Sequence, residues 1–70
     1  MARMAHMPQR ASLREWERHT DVSARALARE HHAGRLPAER VGRALVAERH
    51  DVLRVARKLL ARVLADEGRS

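Results

Sequence analysis

One long segment of this chain, from Leu36 to Glu67, sorts its residues onto two opposite faces when it is wound as an α-helix. The apolar face carries Val41, Leu45, Val52, Ala56, Leu59, Leu60 and Val63. The opposite face carries Arg40, Arg43, His50, Arg54, Arg57, Lys58 and Arg62, and only Asp51 interrupts it with a negative charge. The pattern predicts a long amphipathic helix that needs a hydrophobic partner on one side and water or a polyanion on the other.

Two shorter helices are expected before this segment. Ser12 followed by Glu15 forms a capping box, which predicts a first helix as far as about His19. A second helix, capped by Thr20 or Asp21, is expected to run to about residue 32. Gly34 suits the left-handed position that follows a helix end.

The third helix is expected to start at Leu36-Pro37, because proline at the first helical position loses no hydrogen bond. Two features oppose an unbroken helix. Gly42 costs about 1 kcal/mol in a helix interior, and residues 48–51 open a polar gap in the apolar face. We expect a continuous helix; the alternative is a turn near His50, with Asp51 capping a fourth helix.

The expected fold class is therefore all-α, because the alternation that is typical of strands is absent. Two short N-terminal helices would pack on one long C-terminal helix, straight or kinked, in a small helical bundle completed by oligomerisation. Residues 1–11 are expected to be a disordered arm, residues 12–67 a single helical domain, and residues 68–70 a C-terminal tail.

Oligomerisation is expected because the apolar residues are unevenly distributed. Of the fourteen Leu and Val residues, eleven lie at or after Leu36. Two short, alanine-rich helices cannot cover so long an apolar stripe, and a soluble monomer rarely leaves one exposed. A homo-oligomer or a heteromeric protein partner would cover it through Leu45, Val52, Leu53, Ala56, Leu59, Leu60, Val63 and Leu64.

The charge balance of the chain is strongly basic. Lys and Arg number 15 against 9 Asp and Glu, and the sequence pI is about 11.6. Such an excess favours encounters with polyanions such as nucleic acid. The predicted nucleic-acid contacts are Arg40, Arg43, Arg54, Arg57, Lys58 and Arg62. The competing interpretation is a solvated helix face whose arginines reflect a GC-rich coding sequence, as in a bacterium of high GC content.

Several classes of site find no support in the sequence. There is no cysteine, no two histidines have the i, i+4 spacing of a helical zinc motif, and no Gly-rich phosphate loop occurs. We therefore expect no enzyme, no metal site and no cofactor. Membrane association is not expected, since no apolar run approaches the roughly 18 residues of a span, and the expected location is the cytoplasm.

The segment from Asp21 to Arg49 also invites comparison with the helix-turn-helix motif of DNA-binding proteins. Its connection, residues 33–37, is longer than the usual turn of about three or four residues. A generic pair of antiparallel helices explains this segment better.

Two functional hypotheses follow. The first is a small non-enzymatic protein, DNA-associated or regulatory, whose oligomer presents an arginine-rich helix face to phosphates. The alternative is a protein-interaction module, such as an adaptor, an inhibitor or an antitoxin-like protein, whose apolar C-terminal helix face binds a partner.

Overall fold

The protein folds as a three-stranded antiparallel sheet with three helices, in the order β1–α1–α2–β2–β3–α3. The elements are β1 (Arg10–Ser12), α1 (Leu13–His19), α2 (Ala24–His32), β2 (Glu39–Val41), β3 (Ala44–Glu48) and α3 (Arg49–Arg69). This computed structural model describes residues 7–69, with side chains as far as residue 66. The expected all-α helical bundle is therefore wrong, because the fold combines helices with a sheet.

The expected long helix is replaced in its first half by a β-hairpin, formed by β2 and β3. Val41 pairs with Ala44, so Gly42 and Arg43 form a two-residue turn. The φ angle of Gly42 is 64°, whereas no described non-glycine residue has a positive φ. A positive φ confined to the first turn residue is typical of a type II′ turn, which matches the twist of paired strands. Gly42 thus turns the chain instead of weakening a helix.

β3 is the middle strand, because β1 pairs with its other edge. The register places Arg10 opposite Glu48 and Ser12 opposite Val46, and both pairings of β3 are antiparallel. The backbone N–H and C=O groups of β3 therefore find hydrogen-bond partners in the strands on both sides. In a helix the same groups would have been paired within the segment itself.

Both short helices are confirmed. The Ser12 hydroxyl accepts a hydrogen bond from the backbone N–H of Glu15 at 3.2 Å, as the capping box predicts. The cap of α2 is Ser23 rather than Thr20 or Asp21, and its hydroxyl accepts from the N–H of Ala26 at 3.1 Å.

The end of α2 also follows the sequence-based prediction. Gly34 comes directly after the C-cap Ala33 and has a φ of 84°, the left-handed conformation that closes a helix. The backbone N–H groups of Arg35 and Leu36 both donate to the carbonyl of Glu30, so the chain folds back against the last turn.

α3 begins at Arg49, directly after β3, so both the continuous helix from residue 36 and the alternative of a fourth helix capped by Asp51 are wrong. The backbone N–H of Arg49 donates to the carbonyl of Gln9 at 2.9 Å, so the helix starts where the pairing with the N-terminal segment ends. Asp51 lies in the first turn of α3, where a negative charge is favourable.

One core holds these elements together, with Trp16, Leu27, Leu36 and Val52 fully buried at its centre. Met7 and Ala11 also belong to it, each with 9% of its surface exposed. Residues 7–11, which the sequence analysis assigned to a disordered arm, are thus part of the fold. Residues 1–6 of that arm lie outside the described residues. At the other end α3 continues to Arg69, within the expected tail, and Ser70 lies outside the described residues.

Candidate nucleic-acid interface

α1 and α2 form a helix-turn-helix unit, connected by the four residues 20–23. The Thr20 hydroxyl donates to the carbonyl of Trp16 at 2.9 Å and accepts from the N–H of Val22 at 3.3 Å. Val22 is buried in the core, and Ser23 caps α2. The connection has the length of the helix-turn-helix motif. The connection over residues 33–37, which the sequence analysis compared with this motif, leads from α2 into the β2–β3 hairpin, so the antiparallel helix pair expected for that segment is wrong.

An open groove lies between this unit and the β2–β3 hairpin. Its walls come from the start of α1, the first half of α2 and the hairpin itself. The lining residues are Ser12, Leu13, Arg14, Ala24, Arg25, Ala28, Arg40, Val41, Arg43, Ala44 and Leu45. They include four arginines and no carboxylate, so the groove presents a strongly positive surface.

The four arginines of this groove come from separate elements. Arg14 lies in the first turn of α1, Arg25 in the first turn of α2, Arg40 in β2 and Arg43 in the hairpin turn. All four are exposed, and none forms an ion pair or side-chain hydrogen bond with another residue of the described range 7–69. Their positive charge is therefore not neutralised locally, and an anionic ligand could approach it.

Small side chains separate these arginines. Ala24, Ala28 and Ala44 line the groove beside them and are all partly exposed. A helix surface that carries alanine lets another molecule approach the backbone closely. The lining of the groove therefore combines long cationic side chains with small ones.

Arginines outside the groove are more often paired. Arg10 forms an ion pair with Glu39 across the sheet, and Arg35 forms two hydrogen bonds with Glu30, at 2.7 and 3.1 Å. The hydrogen bonds and the positive charge of Arg35 hold the pKa of the Glu30 carboxyl below its ordinary value, although burial opposes this effect. Glu30 is 6% exposed, so this pair stabilises the end of α2 rather than offering a free cation.

The six predicted nucleic-acid contacts do not form one stripe. Arg40 and Arg43 lie on the hairpin and line the groove. The other four lie on α3 and take no part in that lining: Arg54, Arg57, Lys58 and Arg62. Of these, Arg54 lies 3.4 Å from the buried carboxylate of Asp51. The single basic face was an artefact of winding residues 36–48 as a helix.

A second cleft gathers three of the α3 cations against the end of α2. Arg54, Lys58 and Arg62 line it together with Glu30 and Arg35. Two of its five charged residues form the Glu30–Arg35 pair, and Arg54 is near Asp51. Much of the charge in this cleft therefore serves contacts within the chain.

Arg14 and Arg25 were missed by reasoning from the sequence. The signal for Arg25 was present in Ser23, whose hydroxyl caps α2 and places Arg25 on the first turn of that helix. For Arg14 there was no such signal, because only the tertiary fold brings the start of α1 beside the hairpin.

The eight predicted interface residues are divided by the fold. Val52 and Ala56 are buried in the core of this chain, and Leu45, Leu53 and Leu59 are partly buried against it. The remaining three are exposed, with accessible fractions of 40% for Leu60, 52% for Val63 and 67% for Leu64. The uncovered apolar surface is thus much shorter than the sequence indicated, and it lies in the second half of α3.

No group of three or more potential metal ligands occurs among the described residues. His31, the partly buried histidine of α2, has its Nδ1 3.0 Å from the carbonyl oxygen of Leu36. Within residues 7–69, none of the helices is long and apolar enough to cross a membrane.

Comparisons with protein families, with curated proteins and with solved structures give no match to this chain. A functional proposal therefore depends on the geometry and charge described above.

Proposed function

We propose that the protein is a small, non-enzymatic, DNA-associated protein that binds duplex DNA through the groove between α2 and the hairpin. In this proposal α2 lies in the major groove, and the arginines around it contact phosphates. A cytoplasmic location, as expected from the sequence, accompanies this function.

The observation that carries the proposal is the convergence of four unpaired arginines on one groove beside a helix-turn-helix unit. In that motif the second helix lies in the major groove and its N-terminal residues reach base edges. Here the second helix is α2, which carries Arg25 in its first turn. Most contacts of such proteins go to phosphates and fix the position of the helix. Arg14, Arg40 and Arg43 are the candidates for that role.

The exposed face of α2 has a composition suited to a major groove. Arg25, Arg29 and His32 follow one another at i, i+4 and i+7, and all three are exposed. Arginine can donate two hydrogen bonds to guanine, and a small side chain such as Ala28 can approach a thymine methyl group. α2 has 9 residues, and its length of about 13 Å is comparable to the width of the groove.

Duplex rather than single-stranded nucleic acid is the proposed ligand. Binding to single strands depends on aromatic side chains on which bases stack. The chain has one Trp and neither Phe nor Tyr, and Trp16 is fully buried. No aromatic ring of these three types is therefore exposed in the described part of the chain.

The test is a titration of fluorescent duplex DNA, followed by anisotropy at about 50 and 200 mM salt. The groove variant combines Arg14→Ala with Arg43→Ala, and the matched control combines Arg57→Ala with Lys58→Ala, which removes the same charge from α3. We expect the groove variant to bind DNA more weakly. The slope of the logarithm of its binding constant against the logarithm of salt concentration should be shallower by about two, because two phosphate contacts are lost.

Two results would overturn this assignment. Absence of binding by the unmodified protein at low salt would refute a DNA-associated function, because so basic a surface gives at least non-specific affinity when it is accessible. An equal or larger loss in the α3 control would instead place the contacts on α3.

A second candidate function rests on the exposed apolar residues of α3. A protein-interaction module would bind its partner through Leu60, Val63 and Leu64. The groove variant would then bind its partner normally, whereas a polar residue at Leu64 would abolish capture. DNA binding is favoured because the groove is assembled from three elements of the fold, whereas this apolar patch lies on one helix.

A further inference from the structure

The cleft between the end of α2 and the middle of α3 has the size of a small binding site. Its volume is about 340 Å³, and pockets that hold small ligands measure roughly 300–1,000 Å³. Its wall includes the apolar side chains of Val55, which is buried, and Leu59, which is partly buried. The charged lining consists of four cations and one carboxylate: Arg35, Arg54, Lys58, Arg62 and Glu30. The cleft therefore has a positive surface beside an apolar wall.

Two of these cations are held in position by buried carboxylates. Glu30 accepts hydrogen bonds from Nε and Nη2 of Arg35 at 2.7 and 3.1 Å, which leaves Nη1 of Arg35 without a partner in the described part of the chain. The carboxylate of Asp51 lies 3.4 Å from Arg54, and both arginine side chains are otherwise exposed. A guanidinium that is fixed on one side presents its other N–H donors in a defined direction. It therefore loses less conformational freedom when it binds an anion.

The other two cations, Lys58 and Arg62, have no carboxylate partner among the described side chains. They follow Arg54 at i+4 and i+8, so the three cations lie along one side of α3. Hydrogen bonds from Arg35, and to a smaller extent the positive charge of Arg62, hold the pKa of the Glu30 carboxyl below its ordinary value. The charge of Arg62 thus acts on the same space as that of Arg35, and the single carboxylate of the lining does not neutralise the cleft.

We propose that this cleft binds the di- or triphosphate group of a small ligand. Guanidinium groups donate pairs of parallel hydrogen bonds to phosphate oxygens, and a lysine ammonium adds a point charge. From Arg54 to Arg62 the cations extend over about 12 Å of helix, which is more than a single phosphate contacts. The spacing therefore suits a ligand with two or more phosphoryl groups. This site is separate from the groove to which the proposed function assigns DNA.

The cleft and the groove between α2 and the hairpin lie on different sides of α2. Arg25 and Ala28 line the groove, whereas Glu30 lines the cleft. At about 100° per residue, Glu30 lies about 140° from Arg25 and about 160° from Ala28 around the helix axis. A duplex bound along the groove therefore leaves the cleft accessible, and a small ligand can occupy it at the same time.

A nuclear magnetic resonance titration with inorganic tripolyphosphate tests the proposal. The backbone amide signals of the isotope-labelled protein are followed at about 150 mM salt, which screens charges more than about 8 Å apart. This condition weakens the general attraction of an anion to a chain with a net charge of +6. We expect the largest changes at Arg35 and residues 54–62, which border the cleft. Changes confined to the groove between α2 and the hairpin would overturn the proposal.

Two variants that remove equal charge show whether the cleft itself binds the probe. The cleft variant combines Lys58→Ala with Arg62→Ala, and the matched control combines Arg14→Ala with Arg43→Ala in the groove. All four side chains are exposed, so both variants should fold, which circular dichroism verifies. We expect the dissociation constant for tripolyphosphate to rise at least about tenfold in the cleft variant and to change little in the control. Equal weakening in both variants would refute a specific site.

Duplex DNA is the other source of the same phosphate chemistry. An anisotropy titration of fluorescent duplex DNA with the cleft variant separates the two sources. We expect this variant to bind the duplex nearly as well as the unmodified protein does, while its affinity for tripolyphosphate falls. A variant that loses duplex affinity but keeps its tripolyphosphate affinity would assign these cations to DNA and overturn the proposal. Failure of the groove to bind DNA would leave the tripolyphosphate result unchanged, so the two proposals fail separately.

Discussion

The indole N–H of Trp16 donates a hydrogen bond of 2.9 Å to the backbone carbonyl of Ala47. Trp16 is fully buried and Ala47 is 1% exposed, so this bond lies within the core. It joins α1, the first helix of the helix-turn-helix unit, to the middle strand of the sheet. The same contact therefore holds the hairpin and the helices in the relative positions that form the arginine groove.

Replacing Trp16 by Phe should destabilise the protein, because the donor to the Ala47 carbonyl is lost and a smaller aromatic ring occupies the core. We expect the free energy of unfolding to fall by about 1–3 kcal/mol, a large fraction of the stability of so short a chain. Urea unfolding followed by far-UV circular dichroism measures the change. Arg18→Ala, an exposed change on the same helix, is the control, and a Trp16→Phe effect no larger than that of the control would contradict the prediction.

Replacing Gly42 by Ala should destabilise the hairpin through the backbone alone. A Cβ at Gly42 would meet nothing within 4 Å, so there is no steric clash to consider. The cost is that of holding a residue with a side chain at a φ of 64°, about 1–2 kcal/mol. Arg43→Ala alters the same turn without this constraint and should leave the melting temperature almost unchanged. Similar melting temperatures for the two variants would show that the turn tolerates a side chain at this position.

Acid should weaken the contribution of the Glu30–Arg35 pair. The hydrogen bonds from Arg35 lower the pKa of Glu30 in the folded state relative to its ordinary value of 4.5. The pair therefore stabilises the fold fully above about pH 4.5, and the contribution is lost as the pH falls through the lower pKa of the folded state.

The variant Glu30→Gln tests this pH dependence. It should be less stable than the unmodified protein at pH 7, and the difference in unfolding free energy should narrow as the pH falls below about 4.5. Urea titrations at several pH values measure that difference. Glu17→Gln, at an exposed position of α1, serves as the control. If the difference in unfolding free energy between the Glu30→Gln variant and the unmodified protein stays constant with pH, the Glu30–Arg35 pair is not its source.

The apolar pattern of the second half of the sequence was a less reliable guide than the caps of the first half. Ser12, Gly34 and the residues between them predicted two short helices, and both occur. Those signals act over three or four residues, so they retain their meaning wherever the segment lies in the fold. In contrast, the helical spacing from Val41 to Val52 was coincidental, because these residues belong to three different elements.

The hairpin could not be recognised by alternation of polar and apolar residues. Every residue of β2 is exposed, and in β3 only Ala47 is buried, so neither strand shows a period of two. Gly42-Arg43 was the one local indication of a two-residue turn. The misassignment of these strands also produced the single basic face, which the structure divides between the hairpin and α3.

The sequence by itself determined the positive charge, the two short helices with the Ser12 cap and the Gly34 end, and the helical character of the chain from about residue 50 onward. Only the tertiary structure decided that β1 pairs with β3, and that Arg14 and Arg25 share a groove with Arg40 and Arg43. The physical reason is the range of the interactions. Helix caps and helix periodicity depend on neighbours along the chain, whereas strand pairing and a groove depend on residues that are distant in sequence and meet only in the folded core.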